Sequence, residues 1–92
     1  MLFAFQCIDR PDAGDLRQRT RPAHLEYLVA HKPQVVCAGA LLGDDQKTPI
    51  GSLLIVDCAD SAAAARFGAK DPYAVAGLFA QVSILPFRQA SL

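Results

Sequence analysis

An α+β fold with its elements in the order β-α-β-β-α-β is what this sequence predicts, and three observations predict it. Four apolar runs, at residues 2–8, 35–42, 50–58 and 79–87, have the length and the bounding turn residues of strands. Two intervening stretches, from residue 15 to about 31 and from 60 or 61 to 67 or 68, are rich in good helix formers. A polar loop alone separates the second strand from the third, so two β-α-β halves meet at a hairpin. That order is ferredoxin-like: a four-stranded antiparallel sheet with both helices on one face.

The first run, LFAFQCI, ends in the turn cluster Asp9-Arg10-Pro11-Asp12. In the first helix Leu25, Leu28 and Val29 fall at i, i+3 and i+4, the spacing of a packed stripe. Pro22 interrupts it, because proline removes a hydrogen bond and clashes one turn back. Either the helix kinks there, or one turn ends near Thr20 and a second begins with Pro22 at its first position. Both alternatives put Arg21 and His24 at an irregular part of the helix. Lys32-Pro33 ends it, since a residue before proline avoids the α region. In the second strand, VVCAGALL, Gly39 marks a bulge or a close approach. Residues 43–49, GDDQKTP, form the hairpin loop. Asp60 or Ser61 caps the second helix. Asp71-Pro72 then opens a further short helical turn, with Asp as N-cap and Pro at the first position.

Ninety-two residues make one domain, residues 1–92. Net charge is zero, and the nearest basic run, Arg17, Arg19 and Arg21, is broken by Gln18 and Thr20; no nucleic-acid partner is expected. Cys7, Cys37 and Cys58 have no metal-ligand or redox spacing, and each lies in an apolar run as a small buried hydrophobe. No metal or cofactor is expected. Unpaired thiols fit a reducing compartment, and the N-terminus lacks the basic region of a leader. A cytoplasmic protein with no membrane partner is the expectation.

The strands do not alternate. Phe3, Phe5 and Cys7 oppose Leu2, Ala4 and Ile8 in the first; Leu53 and Ile55 oppose Leu54 and Val56 in the third; Leu85 and Phe87 oppose Ala80, Val82 and Ile84 in the last. A sheet wet on one side should alternate, so the face away from the helices needs a cover. A second copy is the simplest one, and a homodimer through the open sheet face is expected.

Five segments, in order along nearly the whole chain, resemble the YciI-related family of the dimeric α/β-barrel group. They are LFAFQCIDRPDA at the start, Arg21-Pro22-Ala23-His24-Leu25, Cys37-Ala38-Gly39, Asp71-Pro72-Tyr73 with Ala76-Gly77, and Val82-Ser83 before Pro86-Phe87. The resemblance implies a homodimer, a cleft between sheet and helices, and an active-site pair formed by His24 and Asp71. The loop at 43–49 is short and His31-Lys32-Pro33 replaces a glycine-containing turn, differences that bear on loop-borne specificity.

The residues themselves are compatible with that pair. An imidazole titrates near neutral pH, and a carboxylate beside it fixes its tautomer and raises its basicity. His24 is otherwise an ordinary helix histidine, and Asp71 an ordinary N-cap. One carboxylate oxygen can accept the helix N–H while the other meets His24. Arg21, one turn before His24, would hold a substrate carboxylate or enolate, or pair with Glu26 or Asp71 as structure. Tyr73 lines the cleft or packs in the core. His31 belongs near the helix C-terminus, where its charge meets the dipole. Ser52 and Ser83 have no nucleophile elbow, and no phosphate loop or dinucleotide fingerprint is present. The expected function is a small lyase- or hydrolase-type enzyme acting by acid–base chemistry on a small cyclic or carbonyl-bearing molecule. The alternatives are a dimeric small-molecule-binding or regulatory module, in which the same cleft only holds its ligand, and a purely structural domain without a pocket at His24.

Overall fold

Phe3, Phe5 and Cys7 point to one side of the first strand, and that alternation decides which face of the sheet the helices cover. The computed structural model describes residues 1–92. Its strands are β1 (Leu2–Asp9), β2 (Val35–Leu42), β3 (Pro49–Asp57) and β4 (Phe79–Phe87). Its helices are α1 (Gly14–Ala30), α2 (Ser61–Lys70) and the single turn α3 (Pro72–Val75). The order across the sheet is β2-β3-β1-β4, every pair antiparallel. Each helical crossover passes over one intervening strand. The common hand of such crossovers sends both to the same face, which gives the ferredoxin-like arrangement.

Register sets the core. Phe3 lies opposite Val56, and Phe5 opposite both Leu54 and Ile84. Phe3, Phe5, Cys7, Leu54 and Val56 are buried under Ala64 and Phe67 of α2. The Phe5 and Phe67 rings meet edge to face at 5.8 Å. Each large side chain so buried contributes roughly 1.5–3 kcal/mol. On the other face Leu53, Leu85 and Phe87 are exposed, and nothing in the chain covers them. Cys37 is exposed there too, unlike Cys7 and Cys58, so the expectation that all three thiols are buried fails at β2. No helix is long and apolar enough to cross a membrane.

Several local expectations are corrected. α1 runs unbroken through Pro22, and of its apolar stripe only Leu28 packs against the core. Leu25 and Val29 are exposed, while Arg17 and His24 are buried. The side of α1 turned to the sheet carries Arg17, Arg21, His24 and Leu28, at i, i+4, i+7 and i+11. α2 is capped by Asp60, whose Oδ1 accepts from the Ala63 N–H at 2.8 Å, and it extends to Lys70. Gly39 marks no bulge: the irregularities of β2 lie between Val35 and Cys37 and between Leu41 and Leu42. Close approach occurs at Gly51 instead, where a Cβ would collide with the Cys7 carbonyl oxygen. The glycine holds β1 and β3 together beside the Cys7–Ser52 pair.

Candidate active site

A buried His–Asp hydrogen-bonded pair and a buried Arg–Asp ion pair meet on one aromatic ring in the cleft between α1 and the sheet. The first is His24 with Asp71. Asp71 sits where α2 ends and α3 begins, and its Oδ1 accepts from the Tyr73 N–H at 3.0 Å. The same oxygen lies 2.8 Å from Nδ1 of His24. Capping and orienting thus fall on one oxygen rather than being divided between two. An oxygen that accepts from an amide has lone pairs to offer, so the neutral imidazole carries its proton on Nδ1. Nε2 is left as the basic nitrogen. It has no partner in the chain, and no buried side-chain nitrogen or oxygen lacks one; Nε2 therefore opens onto the cleft that His24 lines.

The second pair was not found from the sequence. Arg17 donates from Nε to Asp9 Oδ2 at 2.7 Å and from Nη2 to Asp9 Oδ1 at 3.1 Å. Nη2 donates again to the Ser52 hydroxyl at 2.7 Å. Both side chains are over nine-tenths buried. Burial works against the guanidinium's charge, but the bonds and charge of Asp9 outweigh it and raise the Arg17 pKa further. Removing either partner would strand the other charge, a loss of about 3–5 kcal/mol. Asp9 and Ser52 take three of the five N–H groups, leaving the two on Nη1 free of a carboxylate. Arg17 looked like one member of a scattered basic run. Its spacing to Arg21, His24 and Leu28 was the available signal.

Tyr73 joins the two pairs. Its ring stacks on His24 with centroids 4.0 Å apart, and the Arg17 guanidinium carbon lies 4.7 Å from the ring centre. Burial pushes the phenol's pKa up, against the pull of Arg17 and Arg21, so the hydroxyl keeps its proton at neutral pH. The turn that carries it is held by Gly77, at φ +77, a conformation suited to glycine. The Gly77 carbonyl accepts from Nε of Arg10 at 2.6 Å. Cys7 lies on the same face of the sheet, opposite Ser52. Burial lifts its thiol to about 11, with the charges of Asp71 and Asp9 adding and Arg17 opposing. It is no nucleophile.

The cleft beside His24 has a volume of about 160 Å³, with Arg17, Arg21, Ser52 and Tyr73 among its walls and Ala38, Gly39 and Ala40 of β2 opposite. Arg21 is exposed and pairs with neither Glu26 nor Asp71; its guanidinium is uncommitted. His31 ends α1, its Nδ1 2.8 Å from the Tyr27 carbonyl, a helix-terminal position as expected. No three His, Cys, Asp or Glu side chains converge anywhere. A larger hollow of about 480 Å³ on the open sheet face, between Gln6, Gln81 and Ser83, has no titratable side chain in its walls.

The fold and site define a ferredoxin-like α+β domain with a buried His–Asp pair opening onto a helix–sheet cleft. The family model of the YCII-related domain matches residues 1–88, and the chain belongs to that family. It is 30% identical to Protein YciI of Escherichia coli O6:H1 and of Shigella flexneri, over 97% of this chain and 98% of each relative. Among solved structures it is similar to the 5-chloro-2-hydroxyhydroquinone dehydrochlorinase TftG of Burkholderia phenoliruptrix AC1100, in complex with 2,5-dihydroxybenzoquinone. That likeness has a TM-score of 0.89 and 31% identity, and it covers 98% of this chain and 96% of the other. An antibiotic biosynthesis monooxygenase shares the fold at TM-score 0.57 and 17% identity, covering 99% of this chain and 100% of that one.

Proposed function

We propose that this chain is a small acid–base enzyme of the lyase type, acting on a hydroxylated or carbonyl-bearing ring. The observation that carries the reading is the 2.8 Å contact of His24 Nδ1 with Asp71, which turns a basic Nε2 toward the cleft. The dehydrochlorinase with its bound dihydroxybenzoquinone, similar over nearly the whole chain, supports the reaction class and the ring. An engineered cavity of about 150 Å³ holds benzene, so a cleft of about 160 Å³ suits one six-membered ring.

In this reading His24 Nε2 takes a proton from a ring C–H or O–H. The electron pair left behind moves onto a ring oxygen as an enolate or phenolate. Expulsion of an anionic leaving group from the ring then completes a net loss of H–X. His24, as a placed general base, is worth about 10²–10⁴ in rate, and Asp71 orients it and balances the charge formed on the way. Tyr73 and the arginines stabilise the developing oxyanion; Tyr73 and Arg21 are the substrate-binding residues of the proposal.

The test is chloride release from 5-chloro-2-hydroxyhydroquinone by the wild-type chain and by His24→Ala. Release above the buffer rate that is lost in a folded His24→Ala chain is the expected result. Equal release by the two proteins would remove His24 from the chemistry. Binding of 2,5-dihydroxybenzoquinone beside His24 with no turnover would favour a module that only holds its ligand.

A further inference from the structure

The ring-sized cleft has an outer lobe. A second hollow, of about 390 Å³, has Gly14, Arg17, Gln18 and Arg21 of α1 on one side and Ala40 and Thr48 of the β2–β3 hairpin on the other. The two hollows share Arg17, Arg21 and Ala40, so they adjoin at the two arginines. A ring seated against His24 fills the inner lobe, and a larger substituent on it would extend past the arginines toward the outer one.

The charges there are unbalanced. Two cations and no carboxylate line the outer lobe. Arg17 is answered by Asp9, whereas Arg21 has no partner in the chain. Of the acids bonded to lining residues, Asp9 is committed to Arg17, and the oxygens of Asp45 are taken by the Lys47 and Thr48 amides and the Thr48 hydroxyl. The start of α1 adds a field of the same sign, its N-cap Ala13 offering no side-chain acceptor; Asp15 in that first turn is exposed and paired with Arg19. A lobe with one unanswered guanidinium matches a ligand group of one negative charge, and a guanidinium's planar fork matches a carboxylate.

We propose that the outer lobe holds a carboxylate carried on the substrate ring, with Arg21 as its ion-pair partner and Gln18 as a second donor. Arg17, fixed by Asp9 and Ser52, is left to the ring oxygen beside His24. The substrate class becomes a hydroxylated ring acid. This rests on the reading of the His24 cleft as the ring site.

Titration of the chain with 2,5-dihydroxybenzoate and with 1,4-dihydroxybenzene, followed by the imidazole resonances of His24 and the Nε–H resonance of Arg21, tests it. The carboxylate probe should bind about tenfold or more tightly. Arg21→Gln should reduce that preference to within about twofold, and Arg21→Lys, which keeps the charge, should retain part of it. Equal affinities in the wild type, or a preference that survives Arg21→Gln, overturn the outer lobe alone when both probes still shift His24. A preference lost in Arg21→Gln with His24 unmoved keeps Arg21 as the carboxylate partner but removes the ring from the inner lobe. Failure of both probes to bind overturns both.

Discussion

The ring of Tyr73 lies against the imidazole of His24, their planes 17° from parallel and their centroids 4.0 Å apart. The backbone N–H of the same tyrosine is bonded to the carboxylate that holds Nδ1 of His24. One residue therefore fixes both the tilt of the imidazole and the direction of its proton, and through its other contact it flanks Arg17.

Tyr73→Phe keeps the stack and removes only the hydroxyl. Thermal unfolding should move by no more than a few degrees, and the His24 ring protons should keep their ring-current shift in NMR spectra. Tyr73→Ala opens a hole under one of the least exposed side chains of the molecule. A loss of about 3–5 kcal/mol is expected, with a drop in Tm of about 4–8 °C for each kcal/mol in a domain of this size. A His24 spectrum unchanged in Tyr73→Ala would show that the stack does not orient the imidazole.

Asp71→Asn separates capping from electrostatics. The amide oxygen still accepts the Tyr73 N–H, so the cap survives and stability should shift by about 1 kcal/mol or less. The negative charge beside His24 is gone, and turnover should fall by about 10²–10⁴ while substrate affinity changes little. Asp71→Ala removes the acceptor as well and leaves two buried N–H groups unpaired, at about 1–3 kcal/mol each. Steady-state kinetics beside denaturant unfolding measures the difference. Equal losses of stability in the two variants would reduce Asp71 to a cap.

The order of the elements was legible because each strand and helix carries its own pattern, and the apolar runs stand between recognisable turns. The site was legible only in part. Asp71-Pro72 announced a helix start by itself, and the resemblance to a family brought it to His24. Arg17, Asp9 and Ser52 each had an ordinary local reading: a surface arginine, a turn acid, a strand serine. What joins them is the pairing of Cys7 with Ser52 across β1 and β3 and the passage of α1 over that point, which no local pattern encodes. The false stripe at Leu25 and Val29 has the same origin. The sheet-facing side of α1 is polar at Arg17 and His24 because it borders a cleft there, so a search for apolar spacing passes over it.

Cys7 makes stability depend on alkaline pH. Its thiol is held at about 11 against an ordinary 9.0, so the folded chain keeps a proton that the unfolded chain gives up between those values. The unfolded state then binds fewer protons, and stability falls as pH rises from 9 through 11, the contribution being fully present below 9. Burial raises Cys58, Tyr27 and Tyr73 as well, and they act in the same direction. Denaturation midpoints should therefore decline above pH 9, less steeply in Cys7→Ala. At pH 8 iodoacetamide should leave Cys7 unmodified in the folded chain and alkylate it quickly in guanidinium. Rapid native alkylation of Cys7 would contradict its burial.

The open sheet face calls for a second copy of the chain. Four strands about 4.8 Å apart, each of eight or so residues rising about 3.4 Å, give a face of roughly 19 by 27 Å. With side-chain relief that is on the scale of the roughly 800 Å² per partner of stable pairs. Leu53, Leu85 and Phe87 stand exposed on it with Leu2, Ala4 and Ile55 half-buried beside them; Gln6 and Ser83, paired across β1 and β4, with Gln81 opposite Ile8 and Asp57 opposite Leu2, are its polar exceptions. A twofold pair of copies would use this same patch on each. Light scattering at micromolar concentration should give twice the 9.8 kDa of the single chain. Leu85→Glu, which places a charge on the open face of the edge strand β4 without touching the helix side, should lower the mass toward one chain while leaving the circular dichroism spectrum intact. A wild-type particle of 9.8 kDa would mean that this face is stable in water uncovered, and the paired arrangement would be wrong.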